Sequence, residues 1–421
     1  MNLLATLILS AAALPASTLQ QAPQPSAAET TRWAITHVNV VPAHREVVLK
    51  DQTVLLKDGR IEAIAPAAVL EVPEGYFELA ADGKYLVPGY CDSHAHFPGK
   101  SGLEIDKELY LTMMLDNGIT RLRCMRMEED LPRWAERVEK GEVLGPVIHY
   151  PMAMLWSGND LQGAKLRSIL KKTATSGSYM KMLGGFEPNK YRAVLEIAND
   201  AGVMVAGHLP RSVDLQTAID AGQIGIEHFH GFGRDKEIKA KQLEHGLKIS
   251  EAAGIFHCPT IFWSTVQGMH IPMDQLNQLA GLDRVPQELQ QKWKTFLTDP
   301  NEQEWRDRVR SYNPNMMRVL RGMANTNANL LLSASDGDFV IPGYSFHEEI
   351  KLYKSAGITP FQILQAATYN AARFFKATNE WGSIQPGLRA DLVLINGNPL
   401  ADPANLSRVT TVFVGGICHF P

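Results

Sequence analysis

The residues most able to do chemistry are a scattered set of histidines, one aspartate and one lysine. Asp92-Ser93-His94-Ala95-His96 places two imidazoles at i and i+2. On an extended segment these side chains share a face, so both can reach one ion. His208, Glu227-His228 and Ser335-Asp336 each close a further apolar run. Lys181 stands alone as a charge inside Tyr179-Met180-Lys181-Met182-Leu183. Burying an ammonium is costly, so such a lysine either loses its charge or finds a partner. Glu227 would be a partner in a purely structural reading. In the chemical reading, His94, His96, Lys181, His208, His228 and Asp336 hold a pair of divalent ions. Neutral imidazoles and a carboxylate suit borderline metals, zinc foremost. A neutral Lys181 could then react with CO2, and the carbamate (N6-carboxylysine) would offer two anionic oxygens to bridge the metals.

Elements of a particular kind must position this set. Eight apolar runs alternate with helical segments: Leu86–Cys91, Ile119–Cys124, Val147–Leu155, Tyr179–Leu183, Val203–His208, Ile224–His228, Ile255–Thr260 and Leu330–Ser335. Eight βα units predict an α/β fold, a (β/α)8 TIM-like barrel, whose active site lies at the strand C-termini. All six candidate ligands sit in or at the end of such runs. Residues 32–88 and 380–421 are β-like and individually too short to bury a good core. They predict one small β-sandwich built from both chain ends, leaving 89–379 for the barrel. The stretch from Ile261 to Asn329 is too long for one helix and is expected to hold extra ones.

Composition narrows the classes of function. The chain has 421 residues, 45% hydrophobic and 20% charged, with a net charge of −4. That is ordinary for a globular protein and excludes collagen, coiled coil and disorder. No concentrated basic face is present, so no nucleic-acid partner is expected. The expected partner is a small-molecule substrate, and a homo-oligomer is left open. Residues 3–16 form an apolar run too short for a membrane span but of signal-peptide length. We read 1–22 as a signal peptide, 23–31 as a flexible leader, and the location as secreted or periplasmic. Cys91, Cys124, Cys258 and Cys418 would then meet an oxidising compartment, with no pairing deducible from sequence.

From about residue 33 to 416 the chain resembles the amidohydrolase superfamily, in particular its imidazolonepropionase-like and prolidase-like branch. Pro88-Gly89-Tyr90-Cys91-Asp92-Ser93-His94-Ala95-His96 is similar to the signature of strand one. Gly207-His208-Leu209-Pro210 and Gly225-Ile226-Glu227-His228 are similar to those of strands five and six. Gly382-Ser383-Ile384-Gln385-Pro386-Gly387-Leu388-Arg389-Ala390-Asp391-Leu392-Val393 resembles the closing segment. The resemblance implies one metal on His94, His96 and Asp336, the other on His208 and His228, and Lys181 between them. Two departures, Arg121-Leu122-Arg123-Cys124 in strand two and Ala334-Ser335-Asp336 in strand eight, concern the substrate pocket and remove no ligand.

The expected chemistry is hydrolysis of an amide or peptide bond, in a dipeptide or N-acyl amino acid, by a metal-bound hydroxide formed near neutral pH. Asp336 would move the proton, and His257 would help stabilise the oxyanion. His230 and Arg211 would contact substrate, Arg211 through a carboxylate. Tyr150 and Trp156 would form an apolar wall. Arg123 is a second cation near a strand end, with structural pairing as the alternative. Other readings are a cyclic amide, lactone or organophosphate hydrolase on the same site, a mononuclear deaminase-type enzyme in which Lys181 is structural, and a non-catalytic binding protein.

Overall fold

In the computed structural model of the chain, residues 32–99, 103–158, 163–176, 179–233 and 237–421 are described. The expected signal peptide and leader, residues 1–31, lie outside them. In chain order the strands are β1 (Trp33–Val40), β2 (Leu49–Lys57), β3 (Arg60–Pro66), β4 (Phe77–Ala80), β5 (Tyr85–Pro88), β6 (Tyr90–Ala95), β7 (Ile119–Cys124), β8 (Val147–His149) and β9 (Ala153–Trp156). They continue with β10 (Met180–Gly184), β11 (Val205–Gly207), β12 (Gly225–Glu227), β13 (Phe256–Cys258), β14 (Asn329–Leu330), β15 (Leu392–Ile395), β16 (Val409–Val414) and β17 (Ile417–His419).

Strands from the two ends of the chain share one eight-stranded mixed sheet, ordered β17-β16-β15-β5-β1-β2-β3 with β4 also on β1. The junction is the antiparallel pairing of β5 with β15, Val87 opposite Val393. Trp33, Ile35, Val54, Leu86, Leu392 and Phe413 form a core of their own there. These residues come from both ends of the sequence, so neither end could complete that core alone. The ladders draw one continuous sheet rather than the two layers of a sandwich.

The middle of the chain is a TIM-barrel-like array of parallel strands. It is drawn as two sheets, β6-β7-β8 and β14-β13-β12-β11-β10-β9. The single run expected over 147–155 is split into β8 and β9. Pro151 lies in the break and has no N–H to give to a ladder; Met152 N bonds Tyr179 O just beyond it. Across the opposite gap, Ser93 N donates to Leu332 O at 3.0 Å. The first barrel strand begins at Tyr90 rather than at the expected Leu86. Tyr85–Pro88 belongs to the terminal sheet and β6 to the barrel, with Gly89 between them. A Cβ on Gly89 would meet Thr120 Oγ1 at 2.1 Å, so only glycine fits.

Between β13 and β14 run the helices Ile261–Gln267, Met273–Leu276, Gln287–Thr298 and Gln303–Met323. They supply the extra helices expected there. Thr359 caps the helix Pro360–Ala367, reciprocated by Gln362, as its sequence signature predicts. No helix of the described residues is long and apolar enough to cross a membrane.

One ion pair ties the terminal sheet to the floor of the barrel. Arg121 on β7 donates to Asp391 at 2.7 Å, and both side chains are almost fully buried. The guanidinium also lies 4.3 Å from the centre of a Trp381 ring. Removing one member strands a buried charge, which typically costs about 3–5 kcal/mol. Asp391→Ala should therefore lower unfolding free energy in urea by about that amount. An unchanged denaturation midpoint would show that this contact does not couple the two sheets.

Candidate metal centre

The strand ends bring the candidate ligands into one cluster. His94 lies on β6 and His96 follows it, with ring centroids 5.3 Å apart. His228, after β12, approaches His94 to 4.7 Å and His208 to 5.2 Å. Asp336 Oδ2 lies 2.8 Å from His96 Nδ1. Lys181 Nζ, on β10, lies 3.5 Å from His94 Nε2, and the side chain is 2% exposed.

Three of the four imidazoles are anchored through one nitrogen. His94 Nδ1 meets Glu227 Oε2 at 2.6 Å, His228 Nδ1 meets Thr260 Oγ1 at 2.6 Å, and His208 Nδ1 meets Leu183 O at 3.1 Å. A ring held by Nδ1 to an acceptor presents Nε2 as its ligating atom, the arrangement of carboxylate–histidine–metal sites. His96 Nδ1 faces Asp336 Oδ2, while its buried Nε2 has no hydrogen-bond partner among the described residues. Buried polar atoms are rarely left so, and a metal would satisfy this one. On chemistry and placement the six residues fit divalent ions.

The electrostatics agree with that fit. Burial, reinforced by Lys181, holds His94 well below its usual pKa and therefore neutral. Burial also lowers His96, against the pull of Asp336. Burial would raise Asp336, but His96, Arg126 and Lys181 together outweigh it and the carboxylate titrates below its usual range. Burial pulls the Lys181 ammonium down to about 8, with Glu227 opposing.

The structural reading of Lys181 as the partner of Glu227 is not what the contacts draw. Both oxygens of Glu227 are engaged elsewhere, Oε2 by His94 and Oε1 by Arg123 at 2.7 Å. Arg123 also donates through Nε to Ser93 O at 2.6 Å, and its guanidinium lies 4.6 Å from the Phe374 ring centre. Arg123 is 1% exposed. It is therefore a buried counter-charge beneath the ligands and not a group that meets substrate. His94, Glu227 and Cys258 also offer donor atoms within 4.8 Å of one another. With Arg123 on Glu227 and the Cys258 thiol pushed up by burial, that trio is support for His94.

The remaining candidates separate into those near the cluster and those away from it. His230 lies 4.8 Å from His208 by ring centroids and accepts from Leu209 N on Nδ1. Arg211 joins His208, His230, Gly184 and Glu187 in lining a cavity of about 390 Å³. Trp156 is opposite Gly184 in the β9–β10 register and is 50% exposed, but it is absent from the lining of that cavity. Tyr150 falls in the break between β8 and β9, packed against the main core and absent from the cavity lining. His257 is displaced more completely. Cys258 faces Glu227 and His94, so by strand alternation its neighbour faces the opposite way. His257 is fully buried, bonded to Ser250 Oγ at 2.8 Å and packed against Phe229 and Phe232. It belongs to the layer between strands and helices and is not an oxyanion donor.

Two participants were not foreseen. Trp263, in the helix after β13, lies 5.8 Å from His228 and lines a small cavity with Tyr312 and Met316. Its sequence signal was only its place three residues beyond Thr260. Glu227 drew attention only as a partner for Lys181, although its place immediately before His228 is a usable signal.

A model of the amidohydrolase family matches residues 85–418. The chain belongs to this family. Members generally bind divalent metals, in accord with the cluster. Among curated proteins, it is 24% identical to Adenine deaminase 3 of Rhizobium meliloti (strain 1021) over 355 residues, covering 80% of this chain and 50% of that protein. The chain thus spans about half the length of the curated relative it matches. Among solved structures, it is similar to a candidate prolidase from Bifidobacterium longum (TM-score 0.71, 20% identity, 93% of this chain and 95% of that one). It is also similar to a Xaa-Pro dipeptidase with methionine bound in its active site (TM-score 0.70, 16% identity, 93% and 100%). A molinate hydrolase is similar at TM-score 0.67 and 17% identity, covering 93% and 95%. These likenesses establish the shared fold.

The placement of His257 can be checked directly. His257→Ala should leave the metal content of the purified protein unchanged, whereas His94→Ala should reduce it. Loss of metal in the His257 variant, with an unchanged circular dichroism spectrum, would return that residue to the site.

Proposed function

We propose that this chain is a metal-dependent hydrolase of an amide or peptide bond, with a dipeptide or N-acyl amino acid as substrate. The carrying observation is the position of Lys181. Its amine is buried among imidazoles, 3.5 Å from His94 Nε2, and no carboxylate oxygen of the described residues lies within 4 Å of it. A lysine whose ammonium is destabilised in this way is suited to carboxylation by CO2. The carbamate would replace the missing counter-charge and complete a two-ion site, with zinc the best match to the donors.

The bound ions would supply Lewis acidity towards a carbonyl oxygen and acidify a water so that it loses its proton near neutral pH. Asp336, kept ionised beside His96, takes the proton of the attacking water and passes one to the departing nitrogen. Arg211 lines the cavity shared with His208 and His230, where it would receive the substrate carboxylate. Trp156, paired with Gly184 of the cavity lining in the strand register, would offer an apolar face. The similarity to a candidate prolidase and a Xaa-Pro dipeptidase supports this reading, and the curated deaminase relative keeps ring-amidine substrates in the test panel. Export to a secreted or periplasmic location remains our proposal on the apolar run of residues 3–16 alone.

A panel of dipeptides, N-acyl amino acids, lactones and aminopurines, assayed on zinc-loaded protein, tests the substrate class. Hydrolysis confined to the first two classes is expected. Arg211→Ala should raise KM for these carboxylates by about 10-fold or more, consistent with loss of a charge-assisted hydrogen bond of about 1.5–3 kcal/mol, with a smaller effect on kcat. Deamination without hydrolysis, or an unchanged KM in Arg211→Ala, would contradict the assignment.

A further inference from the structure

The ends of three barrel strands share a backbone peculiarity. His228, Thr260 and Ser335 have φ of 55°, 54° and 67°. Left-handed backbone is uncommon outside glycine and is a marked outlier for a β-branched residue such as Thr260. Such strain persists only where the surroundings over-determine it, and it gathers at functional sites.

At Thr260 the over-determining contacts can be named. Glu349, on the helix Tyr344–Ser355, is fully buried. Its Oε1 accepts from Ile261 N at 2.9 Å and its Oε2 from Phe262 N at 2.7 Å. Both oxygens are thus spent on pinning the first turn of the helix that begins immediately after Thr260. Thr260 does not cap that helix with its own side chain. Its hydroxyl donates to Pro259 O at 2.7 Å and faces His228 Nδ1 at 2.6 Å. A hydroxyl has one proton to give. A proton given to Pro259 leaves the hydroxyl as an acceptor towards the imidazole. In that arrangement the proton of His228 sits on Nδ1, and Nε2 keeps the lone pair that a metal requires.

We propose that Thr260, locked in place by Glu349, is a positioning residue that selects the Nε2-ligating tautomer and the ring orientation of His228. The inference rests on the reading of His228 as a metal ligand. It assigns a role to a buried carboxylate and a strained threonine, neither of which is itself a ligand.

The test measures zinc affinity by competition with a chromophoric chelator. It compares wild-type protein with His228→Ala, Thr260→Val, Thr260→Ser and Glu349→Gln. Valine keeps the shape of threonine without the hydroxyl, whereas serine keeps the hydroxyl. Thr260→Val should lose about 10-fold or more in affinity for one ion, the usual effect of removing an outer partner of a metal-bound histidine. Thr260→Ser should stay close to wild type. Glu349→Gln, which retains one acceptor oxygen, should weaken zinc in the same direction as Thr260→Val. Wild-type affinity in Thr260→Val, alongside a clear loss in His228→Ala, would overturn the positioning role and leave the metal site standing. Equal affinity in wild type and His228→Ala would overturn the reading of His228 itself. A second measurement needs no folded Thr260 variant: the 15N imidazole spectrum of metal-free wild-type protein, with the His228 signal assigned by its absence in His228→Ala. The Nδ1–H tautomer is expected, and an Nε2–H tautomer would overturn the proposal.

Discussion

The buried chain Arg123–Glu227–His94 is the constraint on which the rest of the site depends. Three titratable groups sit in the barrel interior, each at 1% exposure or less. Isolated charges there would be prohibitive, so the carboxylate must hold both partners at once. One oxygen takes the guanidinium and the other takes His94 Nδ1. That division orients His94 towards Lys181. It also occupies both oxygens of a nearby carboxylate that could otherwise have paired directly with the lysine. The lysine is left short of counter-charge in the place where a bridging anion would serve the metals.

The strand ends translate this interior chemistry into a mouth. Alternation along β13 sends Cys258 inward and His257 outward, which is why two neighbouring residues of similar chemical promise have unrelated surroundings. Left-handed residues after β12, β13 and β14 turn the chain sharply as it leaves the barrel. They let His228 and Asp336 face the cluster while the following segments depart towards the outer helices. Those helices return Trp263 to the side of His228, while Gly184 at the end of β10 and Arg211 in the loop after β11 line a cavity with His208 and His230. The cluster is thereby flanked by an aromatic wall and a cationic one.

Much of this was legible in the sequence because metal chemistry constrains residue type. His94, His96, Lys181, His208, His228 and Asp336 stand out as polar residues closing apolar runs, and all six come together in the structure. The α/β class was equally legible from the alternation of runs. The continuous ring and the two-layer sandwich were not. Pro151 breaks the third run, and the terminal strands form a single sheet. What a side chain touches was harder to read. His257 looked like a strand-end donor, yet its orientation depends on a one-residue register that apolar patterning does not resolve. For Arg123 the structural pairing that the sequence allowed is the one the fold makes, with Glu227 as the partner. Thr260 and Glu349 are 89 residues apart in sequence and carried no signal at all, since their relation exists only through the fold.

The central claim is that Lys181 bridges two ions, and metal content per chain measures it most directly. Mass spectrometry on purified wild-type protein and on Lys181→Ala, both reconstituted with zinc, should give about two ions in the first and one or fewer in the second. One ion in both proteins would contradict the bridged site, make Lys181 structural, and shift the chemistry to that of a mononuclear enzyme.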